Sequence, residues 1–404
     1  MSETKSKPYQ SSWILLLALL TAIAPLSTDM YLPALPEMAK DYGVSTILIS
    51  NSLPAYFLGL ALGQLIYGPV SDRVGRKLPL IFGLCLHVIA SFLCIYVSDL
   101  QDLLLVRVLQ ALGSCVGLVL ARAAIRDVLE TNQAAKAFAS MMIVMGVAPV
   151  LAPSLGAGLL AFFHWKSIFI ALALLGVLAL VWVILQFKET LPASRRLKLS
   201  FKDAGRLYGK ILKDGSFLYP MLAGCFSFGV LFCYINAASA VLMDGYHLSQ
   251  KEFAFVFGLN AVGTIILSAM NHKLEKTYSV VQRLKIGGWV QATGGIILLF
   301  AVYISSLGLY AVMVGLFLAV AGIGLTAPNS TALAMSKQGR NAGTASALMG
   351  SLQFAFGMVS GILLVLLPFN PIVNLAWAML LFVICANVMI YAMQRGTEPK
   401  LMTE

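Results

Sequence analysis

The stretch GPVSDRVGRK, residues 68–77, joins two long apolar runs at residues 47–69 and 78–97. Its residues follow a regular order: a glycine, three residues, an acid, a base, one residue, a second glycine and two more bases. Each flanking run has about 20 residues, enough to cross a hydrocarbon core of about 30 Å as a helix. The charged residues therefore indicate a short surface loop between two transmembrane helices.

The composition of the whole chain is that of a membrane protein. Of its 404 residues, 59% are hydrophobic and 11% are charged, whereas charged residues make up about a quarter of a soluble protein. We count twelve apolar runs, so the sequence predicts an all-α membrane protein with twelve transmembrane helices. The runs are residues 13–33, 47–69, 78–97, 103–125, 137–160, 167–187, 216–240, 252–271, 285–304, 309–333, 342–366 and 371–393.

The basic residues predict the orientation of these spans. Most lie in loops on one side, which the positive-inside rule assigns to the cytoplasm, so both termini are expected there. That side holds Lys5, Lys7, Arg73, Arg76, Lys77, Lys136, Lys273, Lys276, Arg283, Lys285, Lys337, Arg340, Arg395 and Lys400, and the other side holds Lys40, Lys166 and Lys251. The net charge of +11 then indicates loops that face anionic membrane lipid, and we expect no nucleic-acid partner.

A polar stretch divides the spans into six and six. Residues 188–215 contain eight basic residues and enough periodicity for a short helix on the membrane surface. We expect an N-terminal six-helix bundle at residues 1–187, this cytoplasmic linker, and a C-terminal bundle at residues 216–404. Loops at corresponding places in the two halves favour a duplicated unit, as in many secondary transporters.

Five motifs together resemble the major facilitator superfamily, and within it the Bcr/CflA branch of drug/proton antiporters. They are GPVSDRVGRK, TDMYLPALP after the first span, LLLVRVLQALGS in the fourth, APVLAPSLGAG in the fifth and AGTASALMGSLQFAFG in the eleventh. The resemblance covers essentially the whole chain. It implies the twelve-span fold of two six-helix repeats, and proton-driven export of bicyclomycin- or chloramphenicol-like antibiotics across a bacterial inner membrane.

The loop at residues 68–77 is the cytoplasmic gate that the resemblance implies. Gly75 can adopt the positive φ of a tight turn, and Asp72 can accept hydrogen bonds from Arg73 or Arg76. In the family such a loop holds the halves together when the transporter faces outward. The alternative is an ordinary basic loop. The gate residues are Gly68, Asp72, Arg73, Gly75, Arg76 and Lys77.

The fifth span resembles the antiporter signature of the family, although alanines replace several of its glycines. Its prolines each remove a backbone donor, and its small residues leave a closely packable face. The alternative is the small-residue packing found in any membrane bundle. The residues concerned are Ala148, Pro149, Ala152, Pro153 and Gly156.

Asp29 is the proton-coupling candidate. Of 17 acidic residues, it is the only one that we place within a span. A charged aspartate at the centre of a membrane helix costs about 2.5–3.5 kcal/mol, so such residues line water cavities, form ion pairs or carry protons. Since Asp29 lies about one turn from the predicted helix end, the alternative is an interfacial acid hydrated from outside.

Arg107 is the predicted partner of Asp29. It lies about one turn inside span four, at the same depth in the membrane as Asp29, and the fourth-span signature of the family favours a coupling role. The alternative is an arginine that extends to the membrane surface. Arg122 and Arg126, near the cytoplasmic end of the same span, are expected to anchor it.

Substrate contacts are predicted from aromatic, thioether and amide side chains on the spans expected to line a cavity. Such side chains form a pliable pocket for amphiphilic ligands. The candidates are Tyr31, Asn51, Tyr56, Phe57, Met141, Met145, Phe226, Phe232, Tyr234, Asn236 and Asn329.

Three other functions compete with drug export. An importer or exporter of a specific metabolite on the same fold stays open. A membrane-embedded enzyme would need a nucleophile with a base, a metal cluster or paired acids, which a single intramembrane acid does not supply, and a channel is disfavoured by the repeats. We expect drug, protons and lipid as partners, no metal or other cofactor, and a monomer.

Overall fold

The computed structural model describes residues 11–196, 201–304 and 308–395, and these residues form helices without any strand. Lys5, Lys7 and Lys400, used above for orientation, lie outside the described residues, as do the side chains of Arg340 and Arg395. The helices are α1 Ser11–Asp29, α2 Leu35–Asp41, α3 Thr46–Ile49, α4 Ser52–Val74, α5 Lys77–Tyr96, α6 Leu100–Val128, α7 Thr131–Leu160, α8 Lys166–Gln186, α9 Phe201–Leu212, α10 Gly215–Ser239, α11 Gln250–Leu274, α12 Val280–Tyr303, α13 Gly308–Ala321, α14 Ile323–Met335, α15 Ala342–Leu366 and α16 Pro371–Arg395.

Twelve helical stretches of the described chain are long and apolar enough to cross a membrane. The predicted all-α fold with twelve spans is therefore confirmed. The stretches are Ser12–Asp41, Thr46–Val74, Lys77–Tyr96, Leu100–Val128, Lys136–Leu160, Lys166–Gln186, Gly215–Gly245, Gln250–Leu274, Val280–Tyr303, Gly308–Met335, Ala342–Leu366 and Pro371–Gln394.

Three spans are less regular than the sequence predicts. In span one, α1 ends at Asp29, and a 3₁₀ helix at Leu32–Ala34 leads into α2, because Pro33 and Pro36 have no amide hydrogen to continue α1. Span seven continues α10 as a π-helix at Ala240–Gly245. Span ten is two helices, α13 and α14, that meet at Gly322.

The helices fall into a first half, residues 11–186, and a second half, residues 215–395, which meet along two seams. At one seam α4 packs against α15, and at the other α7 packs against α11. We call the end of the bundle that holds Gly75 and α9 the linker side, and the opposite end, which holds α2 and α3, the far side.

The far side is closed by direct contacts between the halves. Ser239 on α10 donates a hydrogen bond of 2.7 Å to the carbonyl oxygen of Leu32. The rings of Phe57 and Phe232 lie 4.5 Å apart between their centroids. Gly361 on α15 lies directly against the ring of Pro54 on α4. The halves are thus packed together from the far side toward the middle of the bundle.

A cavity separates the halves on the linker side. Gln64 still lies against Gly350 across the seam between α4 and α15, and beyond this contact a cavity of about 230 Å³ opens. Tyr208 of the linker helix α9 donates a hydrogen bond of 3.3 Å to the carbonyl oxygen of Leu65 beside it. We call this cavity the vestibule; its walls come from α4, α6, α9 and α15.

Gly361→Ala tests the seam at the far side. A Cβ atom at this position would collide with the Pro54 ring, and overpacking of this kind costs about 1–3 kcal/mol. We expect a lower midpoint of thermal unfolding for the purified variant. The matched control is Gly158→Ala, where a Cβ atom meets no neighbour within 4 Å, and where the better helix propensity of alanine should raise the midpoint. Equal midpoints for the two variants would contradict this packing.

Candidate functional site

Asp29 is buried where the first span loses its helical form. It is the last residue of α1, and the residue as a whole is 4% exposed. Its carboxyl oxygen Oδ1 has no hydrogen-bond partner among the described residues. The adjacent Thr28 hydroxyl turns back to donate to the carbonyl oxygen of Pro25, at 2.8 Å. The carboxyl group of Asp29 is therefore enclosed by the protein but is not neutralised by it.

A cavity of about 170 Å³ lies next to this carboxyl group, and we call it the Asp29 cavity. It lies at the seam between α7 and α11, so that both halves of the chain contribute to its walls. Most of its walls are apolar. The lining residues are Asp29, Met145, Gly146, Pro149, Leu231, Tyr234, Ile235, Phe257, Asn260, Ala261, Thr264, Ile265 and Val320.

Three buried polar atoms around the Asp29 cavity have no hydrogen-bond partner among the described residues. They are Oδ1 of Asp29, the hydroxyl oxygen of Tyr234 and Nδ2 of Asn260. Tyr234 and Asn260 are neighbours, but their polar atoms do not meet hydrogen-bond geometry. An unsatisfied buried polar group costs about 1–3 kcal/mol. Three such groups in one mostly apolar cavity are typical of a binding site for a small molecule.

Arg107 does not form the predicted pair with Asp29 in this conformation. It is fully buried, so it does not extend to the surface either. Its guanidinium group donates to Oε1 of Gln110 at 2.6 Å and to the carbonyl oxygen of Ser27 at 3.0 Å. None of the ion pairs among the described residues joins Arg107 to Asp29.

Aromatic rings explain why Arg107 stays inside the first half. Its guanidinium carbon lies 4.3 Å from the ring centroid of Tyr31 and 4.4 Å from that of Tyr56. A guanidinium group over aromatic faces gains about 2 kcal/mol or more when desolvated. Asp29 instead faces the second half, toward Tyr234. The two residues were predicted to pair because they lie at a similar depth in the membrane. Their side chains, however, point in different directions.

The loop after α4 forms a charged cluster, which we call the Arg76 cluster: Asp72, Arg76, Asp127 and Glu189. Arg76 donates from Nη1 to Asp72 at 2.7 Å and from Nε to Asp127 at 2.9 Å. Gly75 supplies the turn with φ of 99°, a conformation that favours glycine. The predicted acceptor role of Asp72 toward Arg76 is thus seen, while Asp127 was missed because it belongs to the end of α6.

Glu189, also missed, holds the start of α5. Its carboxylate accepts from the backbone N–H groups of Arg76 at 2.8 Å and of Lys77 at 3.2 Å, which stabilises a helix N-terminus. Burial disfavours its charged form, but these donors, with the N–H of Leu191 and the charge of Arg196, hold the pKa of Glu189 below its ordinary value. Every contact of the Arg76 cluster described here lies in the first half or the start of the linker.

The signature of the fifth span lies against Asp29. Helix α7 continues through both Pro149 and Pro153, and Ala148 and Ala152 are buried. A Cβ atom at Gly156 would collide with the carbonyl oxygen of Met30, so the glycine allows α7 to approach the turn that follows Asp29.

The predicted substrate contacts do not share one cavity. Met145 and Tyr234 line the Asp29 cavity, while Tyr31 and Tyr56 contact Arg107. The others are used in packing or hydrogen bonding elsewhere: Phe57 and Phe232 pack with Phe354, Phe226 packs with Phe356, Asn51 lies beside Pro54 on the far side, Met141 is buried on α7, Asn236 bonds to Ser360, and Asn329 bonds to Asn271.

Asn260 is the cavity residue that sequence reasoning overlooked. It lies in the apolar run FVFGLNAVG of span eight, and an amide inside such a run is the signal that was available.

Comparison with known proteins places this geometry in a family. The sequence profile of the Major Facilitator Superfamily matches residues 17–362. The MFS-type transporter YdgK of Bacillus subtilis is 35% identical over 346 residues, 85% of this chain and 86% of the relative. The bicyclomycin resistance protein homolog of Haemophilus influenzae is 30% identical over 349 residues, 86% and 87% of the two chains. The multidrug transporter MdfA of Shigella boydii is 28% identical, covering 81% and 80%.

Solved structures share the fold. A bacterial homolog of the human lysosomal transporter Spinster, in an inward-facing and unoccupied conformation, superposes with a TM-score of 0.72 at 17% identity, covering 96% of this chain and 98% of the other. The nucleoside transporter NupG superposes with a TM-score of 0.70 at 13% identity, covering 96% and 100%. Since the superfamily profile matches residues 17–362 and two relatives of at least 30% identity match over 86% and 87% of their length, the chain belongs to the Major Facilitator Superfamily and is a transporter rather than an enzyme.

Proposed function

We propose that this transporter is a proton-coupled antiporter that exports small amphiphilic drugs, of the bicyclomycin or chloramphenicol kind, across the bacterial inner membrane. The observation that carries the proposal is the buried carboxyl group of Asp29, whose Oδ1 has no partner among the described residues, in a cavity between the two halves. Two relatives with names that refer to drug resistance or multidrug transport support the substrate class.

The orientation follows from the basic loops. The linker side is the cytoplasmic side, with both termini, and the far side is the outer side. The two six-helix bundles, residues 1–187 and 216–404, rock against each other around the cavity. The closed far side and the vestibule then correspond to a conformation that receives drug from the cytoplasm.

Asp29 couples the two fluxes because of its place at the seam. A proton taken from the outer side neutralises the carboxyl group. When the transporter then opens the cavity to the cytoplasm, incoming drug enters the same cavity as the protonated Asp29. The hydroxyl of Tyr234 and the amide of Asn260 hold the polar groups of the drug, and the apolar walls hold the rest. Drug binding is followed by release of the proton to the cytoplasm, so that inward proton flux drives outward drug flux.

Arg107 acts on Asp29 through the backbone. By binding the carbonyl oxygen of Ser27, two residues before Asp29, it fixes the last turn of α1. Its role is to position the carboxyl group at the seam rather than to neutralise it.

Asp29→Asn tests the coupling role. The amide keeps the shape of the side chain but cannot carry a proton, so we expect active efflux to fall to background while the protein stays in the membrane. The measurement is accumulation of radiolabelled chloramphenicol and bicyclomycin in inverted membrane vesicles under an imposed pH gradient. Asp102→Asn, at an exposed acid in the first turn of α6, is the control and should retain wild-type efflux.

Two results of the vesicle assay would count against the proposal. Wild-type efflux by Asp29→Asn at normal expression removes Asp29 from the mechanism. Drug flux in the opposite direction to that expected for an exporter, in the wild type, identifies an importer on the same fold.

Glu189→Gln tests whether the Glu189 carboxylate stabilises the loop between α4 and α5. Because the folded-state pKa of Glu189 lies below its ordinary value of 4.5, its carboxylate stabilises the folded protein above that pH, and the effect is lost as the pH falls below it. We therefore expect the variant to unfold at a lower temperature than the wild type at about pH 7, and the difference to shrink as the pH is lowered below 4.5. Lys188→Gln, at an exposed neighbour, is the control. A difference that does not change with pH would contradict the role of the carboxylate.

A further inference from the structure

The vestibule has an unbalanced charge. Four guanidinium groups and one carboxylate line it: those of Arg73, Arg76, Arg122 and Arg126, and that of Asp72. Arg76 is neutralised by Asp72 and by Asp127 behind it. Beyond Arg76, the positive lining includes the two arginines of α6, Arg122 and Arg126.

Arg122 and Arg126 have no acidic partner among the residues that the structure describes. Within the described part of the chain, neither takes part in an ion pair or a side-chain hydrogen bond. They are four residues apart on α6, so they lie on the same helix face, where like charges repel. Arg122 is partly buried and Arg126 is exposed. Both line the vestibule between the halves. From the sequence, they were instead expected to anchor the cytoplasmic end of the fourth span.

The opposite wall of the vestibule offers these arginines no acid. It is the first turn of α15, with Gly343, Thr344 and Ser346 among the lining residues. A Cβ atom at Gly343 would lie 3.9 Å from Nη1 of Arg126, so the guanidinium group reaches this wall. The backbone N–H groups at a helix N-terminus add further positive potential. Both walls therefore favour a negative charge between them.

We propose that Arg122 and Arg126 form an anion-selective entrance, so that among the amphiphilic drugs this transporter takes, those with a carboxylate or another anionic group bind more tightly than lipophilic cations of similar size. This inference rests on the proposed function, because an entrance has meaning only if substrate arrives from the linker side. A guanidinium group remains charged throughout the physiological range and binds a carboxylate with two parallel hydrogen bonds. A cleft lined by one sign of charge also raises the local concentration of the opposite charge.

Two dyes with the same ring system test the charge preference. Fluorescein is an anion and rhodamine 123 is a cation on the same xanthene scaffold, so they differ in charge while their size is similar. We would measure fluorescence anisotropy with the purified full-length protein in detergent. We expect fluorescein to bind more tightly than rhodamine 123, and the double variant Arg122→Gln and Arg126→Gln to lose about tenfold in fluorescein affinity.

Three further variants separate charge from folding and from coupling. The double replacement by lysine at positions 122 and 126 keeps both charges and should keep the preference for fluorescein. Arg195→Gln, at an exposed basic residue of the linker, should not change it. Asp29→Asn should also keep it, since binding at the entrance precedes the proton step. A preference retained in Asp29→Asn together with absent efflux in the wild type would overturn the proposed function but not the anion site.

Lipid composition distinguishes a site for an anionic substrate from a site for an anionic lipid headgroup. We would repeat the titration in nanodiscs of phosphatidylcholine and in nanodiscs of phosphatidylglycerol. We expect fluorescein to bind more tightly than rhodamine 123 in both. If phosphatidylglycerol abolishes this preference, the arginines hold a lipid headgroup, and the assignment to substrate is wrong. Equal affinity for the two dyes, no measurable fluorescein binding, or an unchanged preference in the double glutamine variant would each overturn the anion-selective entrance.

Discussion

A polar atom buried in an apolar helical bundle must find a partner, and the organisation of this transporter follows from where that rule holds and where it fails. The two terminal nitrogens of Arg107 donate to Gln110 and to the Ser27 carbonyl, and its guanidinium group lies over two aromatic rings, while its Nε has no partner among the described residues. Arg76 is satisfied by two carboxylates. Oδ1 of Asp29, the Tyr234 hydroxyl and Nδ2 of Asn260 have no partner among the described residues, and these three atoms belong to the lining of one cavity. The unsatisfied group lies at the seam between the halves, where a ligand or a proton changes the balance between conformations most directly.

The two cavities divide the work of the proposed cycle. The vestibule lies on the linker side and has cationic walls. The Asp29 cavity lies along the other seam, and its largely apolar lining includes three polar atoms without a partner among the described residues. A substrate would thus be selected by charge first and held by hydrogen bonds and apolar contact later.

Features local to the sequence were predictable, and contacts between distant segments were not. Run length alone fixes the twelve spans, and a lone acid in an apolar run identifies Asp29. The turn at Gly75 follows from its motif. Glu189 was not predictable, because it meets Arg76 across 113 residues of sequence and only the packed helices bring them together. The predicted Asp29–Arg107 pair is not formed in this conformation for a related reason: depth follows from position along a span, but side-chain direction depends on which aromatic rings surround it. The Asn260 amide was visible in the sequence, yet its relation to Asp29 required the seam between α7 and α11.

The central claim is that the carboxyl group of Asp29 changes its protonation when drug binds. Infrared difference spectroscopy of the purified protein, with and without the drug that a growth-inhibition screen identifies, measures this change through the carbonyl band of a protonated carboxylic acid. The account predicts that drug addition removes one such band in the wild type, and that the band is absent in Asp29→Asn while Asp102→Asn retains it. A band that drug binding leaves unchanged, or one that persists in Asp29→Asn, would contradict the account.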